Sequence, residues 1–290
     1  MTDYDNVSAN GVTSIGRSFY LDGDMGKIGV WHMLPESLSA MYREKGIHPL
    51  DEDMEEAIGT EKYPVVLYAH GNSFDRTISH RRELYNVLND MDYHVIAFDY
   101  RGYGDSEGSP TEEGIVSDTR LVYDYVKERI GNNSLIVWGH SMGTGVSTKL
   151  VMDLSCEERA PDGLILEAPF NNLHDVVMHH PFSLPIRWWP EAIIESIILD
   201  PLRSVGLIMD SDKRIIHIKC PILIMHAADD HVIPAKLGRM LKDVASAANR
   251  DVSYFEFDSN RGFQHKFIYL AEELKTIVRE FVLKCERIKH

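Results

Sequence analysis

Positive charge is scarce in this 290-residue chain. Lys and Arg number 30 against 45 Asp and Glu, for a formal net charge of −15. A nucleic-acid-binding face needs clustered Lys and Arg to meet phosphate, so the balance argues against that class, and against strong electrostatic docking to anionic membranes. Cysteine is scarce too: Cys156, Cys220 and Cys285 form neither a disulfide framework nor a metal-ligand spacing. His179 and His180 are adjacent, a spacing at which two rings cannot easily face one ion, so no metal site is expected. There is no run of roughly 18 apolar residues to span a bilayer. The first residues, Met1 to Asp5, are polar and acidic and do not read as a signal peptide. A nucleotide loop is missing as well, because Arg101-Gly102-Tyr103-Gly104 lacks the Lys-Ser/Thr ending. Two Asn-x-Ser sequons, at Asn6 and Asn132, matter only if the domain is lumenal.

What is present is an ordinary globular balance, 44% hydrophobic and 26% charged, enough for one sizeable core. Residues 1 to about 15 are polar and expected to be loose, and 16–290 form the domain. Short β-type runs fall at Arg17–Leu21 and Ile28–Met33. The polar stretch Pro35–Glu61 comes next, its acidic part Asp51–Glu56 read as a solvated loop or helix face. From Tyr63 short apolar runs alternate with amphipathic segments. Strands are predicted at Pro64–Ala69, His94–Asp99, Ser134–Trp138, Gly163–Glu167, Pro221–His226 and Val252–Phe257, and helices near 80–90, 114–130, 142–154, 235–246 and 267–287. Such alternation makes an α/β fold, a mostly parallel sheet flanked by helices. About fifty residues between Glu167 and Cys220 break the rhythm and read as an inserted helical cap, about 170–216.

The chemistry-bearing motif is Gly139-His140-Ser141-Met142-Gly143, set between an apolar strand and a helix. A serine raised on so tight a turn needs glycine on both sides, because flanking side chains would meet neighbouring backbone. The pattern recurs at Gly104-Asp105-Ser106-Glu107-Gly108, but Ser109-Pro110 stands after it instead of a helical face, and Glu107 would repel a developing oxyanion. Ser141 is therefore the expected nucleophile. A serine hydroxyl needs a base oriented by a carboxylate, in the chain order Ser, acid, His. Strand Cys220–His226 is followed by Asp229 and Asp230. Asp230 is expected to be the acid, and Asp229 to hydrogen-bond within the turn. After the last strand, His265 ends a loop just before a long amphipathic helix and is the expected base. The backbone amides of Asn72, behind His70-Gly71, and Met142 are the expected oxyanion donors.

Taken together these motifs resemble the α/β-hydrolase superfamily, over about Ile28 to the C-terminus. Ile28–Pro35, His70–Asn72, Phe98–Gly108, His226–Pro234 and Gly262–Tyr269 resemble the α/β-hydrolase-domain lysophosphatidylserine and monoacylglycerol lipases. The resemblance implies an α/β-hydrolase fold. It also implies hydrolysis of lipid monoesters without a cofactor, and a lumen-facing domain on the endoplasmic-reticulum membrane. The family's N-terminal membrane helix has no counterpart in this sequence, which leaves a cytoplasmic protein as the alternative. Phe74, His140, Met178, Phe182, Trp188 and Trp189 are the candidate substrate pocket. The apolar cap residues have two readings, an acyl pocket or bilayer-touching surface, and simple cap core. The alternative functions are a protein depalmitoylating thioesterase and a non-catalytic binding member of the fold.

Overall fold

The computed structural model describes residues 2–60, 62–179, 188–204 and 206–289. Eight strands form one sheet: β1 (Gly16–Gly23), β2 (Gly26–Met33), β3 (Val65–Ala69), β4 (His94–Phe98), β5 (Leu135–His140), β6 (Gly163–Glu167), β7 (Ile222–Ala227) and β8 (Val252–Phe257). Their order is β1-β2-β4-β3-β5-β6-β7-β8. The first two strands run antiparallel and the six from β3 onward pair parallel.

Strands buried on both faces need continuous apolar runs, and β3, Val-Val-Leu-Tyr-Ala, supplies one. Successive side chains go to opposite faces. Val65, Leu67 and Ala69 join a core with α4 (Glu112–Arg129), α5 (Met142–Cys156) and α10 (Ala235–Ala247), represented by Val122, Leu150 and Leu237. Val66 and Tyr68 join a second core with α3 (Ser79–Asp90) and α11 (Leu274–Lys289), represented by Leu88 and Val282.

One open reading is resolved and two expectations change. Of the two readings of the acidic stretch, the helix face holds: after α1 (Glu36–Glu44), Asp51–Glu56 begins α2 (Asp51–Thr60), whose Met54, Ala57 and Ile58 are buried while Asp51, Glu52, Asp53 and Glu56 stay exposed. The N-terminal segment, expected to be loose, is tied down: Val7 and Val12 are buried in the second core, and the Tyr4 hydroxyl donates to Asp75. The final helix begins later, at Leu274, after a 3-10 turn at Ile268–Leu270.

Between β6 and β7 the described residues form α6 (Leu173–His179), α7 (Glu191–Ile194), a π-helical turn at Glu195–Leu199, α8 (Asp200–Ser204) and α9 (Ser211–Ile215). Glu112, at the start of α4, holds the returning limb: its carboxylate accepts from the amides of Ile208 and Met209 and pairs with Arg214. Among the described residues no helix is long and apolar enough to cross a membrane.

Candidate active site

The strand order places the site before any side chain is considered. From β3 the chain passes to β4 on one side and then to β5 on the other, so the connections diverge and leave a crevice beyond the carboxyl ends of β3 and β5. Ala69 pairs with Gly139 in register, which brings the His70–Asn72 loop beside the Ser141 turn.

Ser141 sits at φ 52°, ψ −120°, between β5 and α5. Its neighbours show why the turn needs glycine. A Cβ on Gly143 would lie 2.0 Å from the Ala69 carbonyl oxygen, and one on Gly139 2.4 Å from that of Gly143. The strained serine is held by its own amide, which donates to the Glu167 carbonyl (3.0 Å), and by Thr144, whose amide and hydroxyl both reach the Ser141 carbonyl.

Three distant loops meet at this rim. Ser141 Oγ lies 2.9 Å from His265 Nε2, and His265 Nδ1 lies 2.7 Å from Asp230 Oδ2. The second Asp230 oxygen accepts from the amides of Val232 (2.8 Å) and Ile233 (2.9 Å). Burial pushes the Asp230 carboxyl upward, but hydrogen bonds and charge from His226 and His265 outweigh it and hold the group well below the usual carboxylate range. A carboxylate so held accepts the Nδ1–H of His265, leaving Nε2 bare to take the serine proton.

Asn72 and Met142 flank the serine, and neither amide has an acceptor among the described residues. Tyr103 links their side chains: its hydroxyl donates to Asn72 Oδ1 (2.8 Å) and lies 3.9 Å from the Met142 sulfur.

The other expected residues divide. Asp229 does not close its own turn; Oδ1 accepts from the Gln264 amide (3.1 Å) and so ties the acid loop to the histidine loop. His140 is no pocket wall. It is buried under the turn, where Nε2 donates to the His265 carbonyl (2.9 Å). Burial, with the nearby His265 charge, pushes its pKa well below the usual imidazole range, so it stays neutral. Phe74 stands 65% exposed on the loop after Asn72, Met178 is half-buried in α6, and Trp188 and Trp189 are exposed, the first by 91%. Phe182 lies outside the described residues. A cavity of about 240 Å³ in the β6–β7 connection, lined by Asn172, Leu199, Arg203 and Lys213 among others, includes none of the five described ones.

Sequence reasoning missed His226, Tyr103 and Glu167. The His226 imidazole bonds the Ile233 carbonyl (2.8 Å) and lies 3.3 Å from the Asp230 carboxylate, bracing it on a side away from solvent. Glu167 is buried and accepts from the Trp138 indole (2.9 Å). Its place at the end of β6, one strand from the serine, was the available signal.

The serine aminopeptidase S33 family matches residues 60–215. The lysophosphatidylserine lipase ABHD12 of Xenopus tropicalis is 44% identical over 93% of this chain and 69% of its own length. That of Rattus norvegicus is 44% identical over 89% of this chain and 64% of its own. Among solved structures, an esterase from Pyrococcus furiosus superposes with a TM-score of 0.67 at 15% identity, covering 95% of this chain and 92% of its own. Est1E from Butyrivibrio proteoclasticus does so with a TM-score of 0.63 at 15% identity, covering 92% and 98%. At these identities the structural likeness speaks to the fold alone.

Proposed function

The chain belongs to the α/β-hydrolase family of the lysophosphatidylserine lipases, a family of serine ester hydrolases, and from that premise we propose the residues and substrates of its reaction. The observation that carries the proposal is the continuous chain Ser141 Oγ–His265 Nε2 and His265 Nδ1–Asp230 Oδ2, at 2.9 and 2.7 Å.

Ser141 attacks the ester carbonyl while His265 takes its proton and Asp230 holds the imidazole in orientation. The amides of Asn72 and Met142 receive the oxyanion, Met142 at the positive end of α5. Imidazolium His265 then protonates the leaving alcohol, and water, activated by the same imidazole, releases the fatty acid and restores Ser141.

The substrates are lipid monoesters: lysophospholipids, lysophosphatidylserine among them, and monoacylglycerols. The ground is identity to lipases named for that substrate over most of this chain. A further part of the proposal is peripheral contact with the lipid surface through the cap, where Trp188 and Ile197 are more than half exposed. Residence at the endoplasmic-reticulum membrane, implied by the resemblance alone, is proposed with it and is read by subcellular fractionation.

The test is labelling by a fluorophosphonate, then release of fatty acid from a panel of lysophospholipids, monoacylglycerols and an S-acylated peptide. The expected result is labelling of the wild type, none of Ser141→Ala, and preferred turnover of the lipid monoesters. Labelling that survives Ser141→Ala removes the nucleophile from the proposal. Preferred turnover of the peptide thioester replaces its substrate class.

A further inference from the structure

Arg81, in the first turn of α3, is 2% exposed. Its guanidinium ends on backbone carbonyls: Nη2 donates to Gly71 (2.8 Å) and Ser73 (2.9 Å), and Nη1 to Asp75 (2.6 Å). Among the described residues no carboxylate forms an ion pair with it, although a buried charge ordinarily requires one. All three carbonyls belong to the loop that carries Asn72.

A trans peptide unit is planar, so its C=O and N–H point in opposite directions, and no peptide bond among the described residues is cis. The unit joining Gly71 to Asn72 has its oxygen held by two donors, Arg81 Nη2 and His70 Nδ1 (2.8 Å). A carbonyl only accepts, so both nitrogens are the donors. The Asn72 N–H is thereby turned away from Arg81, with no acceptor of its own among the described residues. Gly71 lies hard against the nucleophile's turn, where an added Cβ would come within 3.1 Å of the Ser141 Cβ. The next two residues after Asn72, Ser73 (φ 67°) and Phe74 (φ 60°), are both left-handed. Backbone strained at successive non-glycine residues persists only where its surroundings over-determine it, and the bond from Arg81 to the Ser73 carbonyl lies between them.

We propose that Arg81, with His70, is a positioning residue that aims the Asn72 amide at the oxyanion by holding the Gly71 carbonyl from behind. This rests on the proposed reaction, with Ser141 as the attacking group, and adds to it the group that orients the Asn72 amide. Arg81 touches no substrate. Its effect therefore falls on the tetrahedral state and leaves the bound ester nearly unchanged.

The test compares Arg81→Lys with the wild type on a short-chain p-nitrophenyl ester, with affinity for a trifluoromethyl ketone that adds to the serine, and with thermal melting. A lysine keeps the charge but not the fork that spans three carbonyls. The expected result is a fall in kcat of roughly 10- to 100-fold with little change in KM, and a matching loss of ketone affinity. An independent arm leaves Arg81 in place. His70→Asn retains a side-chain donor and is expected to keep more of kcat and ketone affinity than His70→Leu. The proposal is overturned if Arg81→Lys melts lower yet keeps wild-type kcat and ketone affinity. It is equally overturned if the two His70 variants lose both in the same measure. Failure of the underlying reading looks different: Ser141→Ala would retain turnover, whatever the Arg81 and His70 variants do.

Discussion

The segments 139–143 and 104–108 carry the same Gly-x-Ser-x-Gly pattern and put it to opposite uses. At Ser141 the hydroxyl's hydrogen-bond partner is the imidazole of His265, and the backbone is left-handed and strained. At Ser106 the hydroxyl is consumed by the fold: it donates to the Asp99 carbonyl (2.6 Å) and accepts from the Gly29 amide (2.9 Å), stitching the loop to β2. Nearby, Arg76 bonds both Asp99 and Asp105, and Tyr103 of the same loop reaches the side chains of Asn72 and Met142. One copy turns its hydroxyl to an imidazole; the other buttresses the ground beside it. Five residues do not decide between these roles. The next stretch of chain does: the helix α5 behind Ser141, Ser109-Pro110 behind Ser106.

Alanine at each serine breaks that comparison most sharply. Ser141→Ala should lower kcat by about 10⁶-fold while melting like the wild type. Ser106→Ala should still label with a fluorophosphonate but lose about 1–3 kcal/mol of stability, because a buried Gly29 amide and the Asp99 carbonyl both lose a partner. Loss of labelling in the Ser106 variant at a temperature where it remains folded would show that the two copies are not separable.

A second pair, Asp229 and Asp230, repeats the lesson at smaller scale. Asp230→Asn should cost about 10⁴-fold in kcat, since an amide no longer fixes the Nδ1–H tautomer of His265. Asp229→Asn keeps an oxygen for the Gln264 amide and should stay within about threefold of wild type in kcat, because that bond positions a loop without touching the reacting atoms. Equal losses from the two substitutions, measured as kcat on one ester, would erase the distinction between them.

Much of the fold and the site was readable in residue order. The parallel strands are short apolar runs because both faces are covered, and Ser141, Asp230 and His265, the proposed nucleophile, acid and base, each follow a strand end and meet in space. What stayed illegible depends on directions that residue order does not encode. His140 carries no mark of a bond to a backbone carbonyl 125 residues away. Arg81 looks like any cation at a helix start until the orientation of the Gly71 peptide is known. At α2 residue order left loop and helix face open, because carboxylates dominate its first six residues while Met54, Ala57 and Ile58 do the packing.

The two serine loops also differ in what lies beneath them. The 104–108 loop is braced by Arg76 bonded to Asp99 and Asp105, whereas the Ser141 amide rests on the carbonyl of Glu167, whose own carboxyl is buried beside the indole of Trp138. Burial pushes that carboxyl from 4.5 up to about 7; the Trp138 hydrogen bond opposes the rise and the charge on Asp230 adds to it. A group whose pKa is higher folded than unfolded binds more protons in the native state between those two values. Its stabilising contribution is therefore complete below pH 4.5 and is lost as pH rises through about 7. The full effect is about 3 kcal/mol at most. Asp230 has the opposite slope, its contribution being lost as pH falls below the ordinary carboxylate range, so the two windows do not overlap. Glu167→Gln keeps an acceptor for Trp138 and removes the titration. Relative to wild type it should gain stability from pH 5 to about pH 7 and level off by pH 8, read as a difference in melting temperature that widens and then holds. A difference that stays constant over that range would show that Glu167 is already ionised at pH 5, and that the floor under Ser141 is as charged as the network under Ser106.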